Sequence, residues 1–226
     1  MIYPIEQYYI QLMAAVKKRR YDMANRAHQA AETRRRIVEA AARLFRQHGY
    51  AAASMNAIAA EAGVAVQTVY ASMRTKRDIL EAVIQATVRG DEDDVPIASG
   101  ARWRQMEAEA DPREKLAMFA RIHREICERE AELFVVLETA AALDGEIAPL
   151  LRDKERFRYE DQARVARSLR RQGGLRPGLS APKASDIIWA LASERVYLAL
   201  VQERGWRVEQ YEAWLTDQLS AALLPA

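Results

Sequence analysis

Apolar residues recur at helical spacing along most of the chain, and the alternating β-branched runs that are typical of strands do not appear. Ala, Leu, Arg, Glu and Gln, which favour helices, dominate the composition. The pattern therefore predicts an all-α protein. In its second part the predicted helices lie near 99–109, 112–128, 130–143, 147–171, 183–203 and 207–223.

The residues between Ser54 and Leu80 predict two short helices joined by a tight turn, followed by a third helix. Ser54 is a good N-cap, because its hydroxyl can accept a free backbone N–H. Gly63 supplies the left-handed conformation that such a turn needs. Thr75 and Asp78 have the capping-box pattern that starts a new helix. This pattern predicts a helix-turn-helix unit, whose second helix we expect to carry polar side chains into a DNA major groove.

An amphipathic helix that begins at Thr33 precedes this unit. Gly49 ends the helix in the expected C-terminal position. Its predicted apolar face consists of Ile37, Ala41, Leu44, Phe45 and His48. No second metal-ligating residue stands at suitable spacing from His48, so a role at the helix end is favoured over metal binding.

The first thirty residues allow two interpretations. Residues 5–16 form an apolar stripe at helical spacing, and the cluster Lys17–Arg20 follows it. The cluster is either a basic arm that reaches DNA phosphates or the minor groove, or part of a solvated extension. In the second case these residues are either a true extension or upstream codons wrongly included in the gene, since Met23 is also a plausible start.

Charge divides the chain into two unlike parts. Residues 1–90 contain 14 Lys and Arg against 7 Asp and Glu, whereas residues 91–226 contain 20 against 25. A basic module attracts a polyanion through phosphate contacts, although a solvated helical surface has the same composition. The acidic stretch from Gly90 to Pro96 cannot readily continue a helix. We therefore predict an extension over 1–30, a DNA-binding domain over 31–90 and an acidic domain over 91–226.

Three segments in order, AAARLFRQHGY, SMNAIAAEAGVAVQTVY and TKRDIL, resemble the N-terminal domain of the TetR family of transcriptional regulators. The resemblance covers about residues 33–85, and GWRVEQYEAWL near the C-terminus is also similar to many family members. It implies a homodimeric bacterial repressor that binds a double-stranded DNA operator and whose C-terminal helical domain binds a small-molecule effector. In the family, the positions that match Val66, Gln67 and Thr68 face bases. Those that match Ser54, Tyr70 and Lys76 bind phosphates, and the position that matches Ser72 lies against the groove.

The chain departs from the family pattern at three positions. Ala65 stands where a capping Ser is common, so the second helix of the unit lacks a side-chain cap. Ala71 replaces a larger or basic residue and removes one possible DNA contact. Met73 replaces a usual Phe, and Met fills such a core gap adaptably. These differences affect which operator is read rather than whether DNA is bound.

Apolar and polar residues of the acidic domain are candidates for a ligand pocket, in which a few polar groups orient the ligand. Aromatic residues and Met at helical spacing also form ordinary core, and both interpretations stay open. The candidates are Trp103, Met106, Phe119, His123, Cys127, Phe134, Glu138, Trp189 and Glu194.

Two apolar stripes near the C-terminus predict a dimer interface, since two such helices can form a four-helix bundle with their symmetry mates. Packing within one chain is the alternative. The predicted interface consists of Ile188, Leu191, Arg195, Leu198, Tyr211, Trp214, Leu215 and Leu219.

Catalysis and protein binding are the competing functional classes. The three histidines are far apart and lack a recognised motif, and the sequence has no P-loop, dinucleotide glycine pattern or Cys/His metal spacing. We therefore expect no enzyme, cofactor or metal site. The basic residues Arg34–Arg36 argue against a protein-binding adaptor. A lone Cys127, no signal peptide and no apolar run of roughly 18 residues predict a cytoplasmic protein without a membrane partner. Activation of transcription remains the alternative to repression.

Overall fold

The computed structural model describes the backbone of residues 5–89 and 100–225 and the side chains of residues 25–88 and 100–225. Every regular element in these ranges is helical, which confirms the all-α prediction. The helices are α1 Ile5–Ala52, α2 Met55–Ala62, α3 Val66–Ser72, α4 Lys76–Arg89, α5 Ala101–Ala108, α6 Pro112–Leu143, α7 Ala148–Arg171, α8 Ala181–Leu191, α9 Glu194–Tyr197 and α10 Val208–Leu223, with a π-helical segment at Leu198–Glu203. The proposed boundary at 90–96 and the side chains of Lys17–Arg20 lie outside the described residues. None of the helices in these ranges is long and apolar enough to cross a bilayer.

Helix α1 includes the backbone of the N-terminal extension and of the first predicted helix. Gly49 interrupts it with φ 77° and ψ 168°, at the position where the sequence predicts the helix end. Ile37, Ala41 and Phe45 are fully buried, as expected. His48 is exposed, so its assignment to the apolar face is wrong. It lies in the last turn before the Gly49 kink, where the buried face of α1 has ended.

Helix α6 connects the two hydrophobic cores of the protein. Leu116 and Phe119 near its start belong to a core formed with α5, α7, α8 and α10. Leu133 and Leu137 near its end belong to the core of α1–α4. The sequence analysis predicted two helices over this range, and that prediction is wrong. The helix is continuous because its interior contains neither Pro nor Gly, and Asp111 caps its start by accepting the N–H groups of the first turn.

The prediction of a single helix over 183–203 is also wrong, because helix α8 ends at Leu191 and α9 begins at Glu194. Ala192 has φ −91° and ψ 72°, and the Ser193 hydroxyl then caps α9 by accepting the N–H of Val196 at 3.3 Å. Arg158 and Gln162 of α7 each donate to the carbonyl oxygen of Ala192 at 2.8 Å. These two donors satisfy a carbonyl at the break, where helical hydrogen bonding is interrupted. The break turns the side chain of Glu194 into the interior, where it is 2% exposed.

Candidate functional site

Helix α3 has one buried residue and a polar outer surface. Val69 is fully buried and anchors the helix in the α1–α4 core. Gln67, Thr68 and Tyr70 are exposed, and 52% of the Tyr70 surface is accessible. Val66 and Ser72 are partly buried at the two ends of the helix. The side chains that the sequence predicts to face bases are therefore accessible from solvent.

Two arginines of α1 hold the carbonyl ends of α2 and α3. The Arg36 guanidinium donates to the carbonyl oxygens of Ala62 and Gly63, the latter at 3.2 Å. Arg34 Nη1 donates to the carbonyl oxygen of Ser72 at 3.2 Å. Positive side chains at helix C-termini satisfy unpaired carbonyls and complement the helix dipole. The sequence analysis treated these arginines only as basic surface and missed this positioning role.

Gly63 is required at the turn between α2 and α3 for two reasons. Its φ of 64° is left-handed, a conformation that other residues seldom adopt. A Cβ atom at this position would also lie 3.0 Å from Nη2 of Arg36. Ala65 caps α3 without a side-chain hydrogen bond, as its residue type predicts.

Two of the three residues predicted to bind phosphates also have structural roles. The Ser54 hydroxyl accepts the N–H of Ala57 at 3.1 Å and keeps its own proton for donation. Lys76 Nζ donates to the carbonyl oxygens of Tyr50 at 2.9 Å and Ala51 at 3.3 Å, and it lies 4.3 Å from the Tyr50 ring centroid. Partial burial lowers the pKa of Lys76. One ammonium N–H remains available to a phosphate.

The Thr75 capping box is present, since the Thr75 N–H donates to Asp78 Oδ2 at 3.0 Å. The Asp78 N–H donates in return to the Thr75 hydroxyl, also at 3.0 Å. These reciprocal bonds fix the start of α4 directly after α3. The local sequence signal was sufficient to predict this feature.

Helix α6 is tied to both ends of α4. Arg129 donates to the carbonyl oxygens of Thr87 at 3.3 Å and Val88 at 3.2 Å, close to the end of α4. Arg77 at its start donates to the carbonyl oxygen of Glu146, just after α6, at 3.1 Å. These hydrogen bonds therefore join α6, and the residues just after it, to both ends of α4.

A charged cluster lies inside the C-terminal part of the protein, where α6, α7 and α9 meet. Lys154 Nζ is 3.2 Å from Glu130 Oε1 and also donates to Glu194 Oε1. The same nitrogen lies 5.0 Å from the Phe134 ring centroid. The side chains of Glu130 and Glu194 are only 4% and 2% exposed. One lysine thus joins two buried carboxyl groups from different helices.

The two carboxyl groups differ in protonation. Burial raises the pKa of Glu130 to about 8, and the negative charge of nearby Glu194 contributes to the rise. Burial also disfavours ionisation of Glu194, but the charges of Lys154 and Arg158 outweigh it and hold the pKa of that carboxyl below its usual range. At neutral pH Glu130 therefore keeps a proton while Glu194 is ionised.

Arg158 is a second cation beside Glu194, with Nε 3.5 Å from Glu194 Oε2. Its Nη2 donates to Glu155 Oε2 at 2.6 Å. Several buried polar atoms nearby have no hydrogen-bond partner among the described residues, and each such atom costs about 1–3 kcal/mol. They include the Tyr211 hydroxyl, Arg158 Nε and Gln162 Oε1.

Aromatic rings line the side of the cluster towards α10. His123 stacks on Phe119 with ring centroids 6.2 Å apart and lies 6.2 Å from the Tyr211 ring, which contacts Tyr197 edge-on at 5.0 Å. Cys127 Sγ is 3.4 Å from His123 Nε2. Burial lowers the pKa of His123 to about 4 and raises the pKa of the Cys127 thiol. Both groups are neutral at pH 7, so this pair is not an activated thiolate.

The predicted ligand residues divide into interior and surface positions. Seven of them are buried, namely Trp103, Met106, Phe119, His123, Cys127, Phe134 and Glu194. Glu138 is partly exposed and pairs with Arg195, and Trp189 is 37% exposed with the Arg158 guanidinium 5.0 Å from its ring. The sequence analysis missed Glu130 and Lys154. Glu130 follows Cys127 by three residues and precedes Phe134 by four, so a carboxylate on an apolar stripe was the available signal.

The predicted dimer-interface residues also divide into two groups. Ile188, Tyr211, Leu215 and Leu219 are fully buried within one chain and belong to its core. These four residues have no exposed surface left that a second copy of the chain could bury. The partly exposed members, which can still lose surface to a partner, are Leu191, Arg195, Leu198 and Trp214.

Solved structures similar to this chain extend over nearly its whole length. A transcriptional regulator from Saccharomonospora viridis in complex with choline shares 24% identity, covers 87% of this chain and 100% of its own, and has a TM-score of 0.67. The fatty acid degradation regulator FadR from Bacillus halodurans shares 20% identity, covers 82% of this chain and 93% of its own, and has a TM-score of 0.65. NalD of Pseudomonas aeruginosa is the secondary repressor of the MexAB-OprM multidrug efflux pump. It shares 18% identity, covers 87% of this chain and 98% of its own, and has a TM-score of 0.65. At these identities the likeness establishes the fold.

The family assignment comes from the N-terminal domain. Residues 37–83 match the family model of bacterial regulatory proteins of the tetR family, and this range contains the helix-turn-helix unit. No match was found among curated protein sequences. Proteins of the matched family are DNA-binding regulators and not enzymes, which confirms the expectation of a non-catalytic protein. Residues 37–83 therefore form the N-terminal, DNA-binding domain of the tetR family of bacterial regulatory proteins.

Proposed function

We propose that the protein is a homodimeric repressor that binds a palindromic DNA operator and is released from it by a small-molecule effector. The exposed polar face of α3, anchored by Val69, is the observation that carries the proposal. Val66, Gln67 and Thr68 contact bases, and Ser72 lies against the groove. Ser54, Tyr70 and Lys76 hold phosphates.

Two copies bind together, so that their α3 helices enter successive major grooves roughly 34–36 Å apart. The partly exposed residues Leu191, Arg195, Leu198 and Trp214 form the interface between the copies. Residues 31–90 constitute the DNA-binding domain and residues 91–226 the regulatory domain. The protein acts in the cytoplasm, where its operator is located.

The effector binds in the regulatory domain, next to the charged cluster formed by Glu130, Lys154 and Glu194. One protein of this fold is known in complex with choline, and another, NalD, is a repressor, so small-molecule binding and repression both occur on this scaffold. Binding displaces α6, and the Arg129 and Arg77 contacts transmit the displacement to α4. A functional switch requires that the effector favour the non-binding state by several kcal/mol.

Fluorescence anisotropy with a labelled fragment of the region upstream of the protein's own gene tests the DNA-binding part. We expect a complex with two chains per operator, whose affinity decreases as salt concentration rises because phosphate contacts release counterions. A Gln67→Ala, Thr68→Ala double variant should lose discrimination between this fragment and random DNA. Equal affinity of the native protein for both DNAs would contradict operator binding. Transcription from the bound promoter in vitro then separates a repressor from an activator.

A further inference from the structure

The charged cluster is built around an ammonium group. Lys154 Nζ lies between the carboxyl groups of Glu130 and Glu194, with the face of Phe134 beside it. Carboxylates together with aromatic faces are the groups that bind organic cations. With Glu130 protonated, the charges of Glu155 and Glu194 are balanced by those of Lys154 and Arg158. Arg195, which also lies near Glu155, pairs with Glu138. Departure of the Lys154 ammonium would therefore leave a net negative charge, which a bound cation compensates and a bound anion does not.

Lys154 can leave this position more easily than the two carboxyl groups that it joins. Its side chain is 12% exposed, whereas those of Glu130 and Glu194 are almost completely covered. A lysine has a flexible four-carbon stem and a strongly hydrated head, so its ammonium can move into water along the protein surface. Its departure would free both carboxyl groups, the ring of Phe134 and the volume of the stem.

A second observation also indicates a ligand. Tyr211 is fully buried, yet its hydroxyl has no hydrogen-bond partner among the described residues. Burial and the charges of nearby Cys127 and Glu194 raise its pKa, so the hydroxyl is a neutral group beside the cluster. The break after Leu191 and the π-helical segment Leu198–Glu203 flank Glu194, and such irregularities are frequent at functional sites.

We propose that the effector is an organic cation, an ammonium group attached to an apolar body, which replaces the Lys154 ammonium between Glu130 and Glu194. The apolar body occupies the volume of the lysine stem against Phe134, and a polar group of the ligand can pair with the Tyr211 hydroxyl. This inference rests on the proposed effector-controlled function and specifies the chemical class of its ligand.

Replacement of Lys154 has a direct route to the DNA-binding domain. Lys154 belongs to α7 and Glu130 to α6, so the exchange removes a polar contact between these two helices. Arg129 precedes Glu130 and donates to the carbonyl oxygens of Thr87 and Val88 in α4. A shift of α6 at Glu130 therefore alters the hold of Arg129 on α4.

Three probes of similar shape and different charge test the proposal on the full chain without DNA. These are benzylammonium, benzyl alcohol and benzoate, titrated at equal ionic strength by calorimetry. Two variants alter the site: Lys154→Ala removes the internal cation, and Glu194→Gln removes a carboxylate. Arg156→Ala is the matched control, because it removes an exposed cation from the same helix, where Arg156 pairs with Asp153.

We expect Lys154→Ala to bind benzylammonium at least tenfold more tightly than the native protein and Glu194→Gln to bind it at least tenfold more weakly. The control should match the native protein, and neither uncharged nor anionic probe should gain affinity in Lys154→Ala. Equal binding of all three probes, or no gain in Lys154→Ala, overturns the proposal. If Lys154→Ala is unfolded without a ligand, benzylammonium must restore its thermal unfolding transition and benzyl alcohol must not. Any other result also overturns the proposal.

Operator binding is measured separately by the anisotropy assay. Loss of cation selectivity with intact operator binding would reject the ligand class alone. A protein that binds the cation and no operator would reject the proposed function.

Discussion

Lys76 connects the start of α4 to the end of α1, and its removal gives a specific test of the DNA-binding domain. Its ammonium donates to the carbonyl oxygens of Tyr50 and Ala51 and lies 4.3 Å from the Tyr50 ring centroid. In the Lys76→Met variant the apolar stem is retained, while the charge and all three donors are lost. The variant therefore separates the hydrogen bonds and the charge from the packing of the stem.

The expected loss of stability follows from these contacts. A hydrogen bond from a charged donor contributes about 1.5–3 kcal/mol when it is well protected. Lys76 is only partly buried, so water can replace the donor at both carbonyls and reduce the loss. The interaction with the Tyr50 ring adds about 0.5–1 kcal/mol at such a site. We expect the free energy of unfolding to decrease by about 2 kcal/mol.

The remaining N–H of Lys76 is proposed to contact a phosphate, which affects the dependence of DNA affinity on salt. Loss of one phosphate contact should reduce the slope of log K against log salt by about 0.9. Urea denaturation measures the first effect, and anisotropy at about 50–200 mM salt measures the second. Arg74→Met is the control for stability, because it removes one exposed charge between α3 and α4.

Two results would contradict parts of this reasoning. An unchanged free energy of unfolding in Lys76→Met would refute the role of its hydrogen bonds in joining α1 to α4. Reduced stability with an unchanged salt slope would limit Lys76 to that structural role and remove it from the phosphate contacts.

Three further predictions concern other parts of the protein. Gln67→Ala should reduce the free energy of DNA binding by on the order of 1–3 kcal/mol at particular base pairs, whereas Tyr70→Ala should weaken binding to all operator variants equally. Competition binding with single-base operator variants measures both effects. Equal losses for the two protein variants would show that Gln67 does not read bases. Glu130 keeps its proton up to pH about 8 when folded but loses it near 4.5 when unfolded, so its contribution to stability decreases as pH rises between these values. Urea denaturation from pH 6 to 8 should therefore show the native protein losing up to about 1.4 kcal/mol per pH unit relative to Glu130→Gln, and parallel curves would contradict the raised pKa. Leu198→Asp should produce monomers in sedimentation at micromolar concentration, while Val135→Asp on exposed α6 surface should not; an intact dimer in Leu198→Asp would exclude that residue from the interface.

The amino-acid sequence alone determined the helix-turn-helix unit because its signals are local. The Ser54 cap, the left-handed Gly63 and the reciprocal Thr75–Asp78 bonds all join residues within a few positions of each other. Such interactions depend on residue type and spacing, which the sequence records directly. The exposure of Gln67 beside buried Val69 follows from helical periodicity in the same way.

Only the tertiary structure showed which charged side chains also hydrogen-bond to groups that are distant in sequence. Arg34, Arg36 and Lys76 donate to carbonyl groups of helices that are distant from them in sequence, and charge alone does not specify the acceptor. Lys115 is a further case, fully buried with its ammonium on the Glu107 carbonyl, the Ser168 hydroxyl and the Gln172 side chain. In the sequence it resembles an ordinary surface lysine.

The tertiary structure also decided where the regulatory domain places its polar groups. A helical pattern runs through residues 183–203, and it contains no Pro or Gly that would indicate the break after Leu191. The break is supported by Arg158 and Gln162, which lie on another helix and bind the Ala192 carbonyl. Glu130, Lys154 and Glu194 meet only because α6, α7 and α9 pack together in this arrangement. Local periodicity specifies which face of a helix is apolar, whereas the partner of a buried charge depends on how the helices pack.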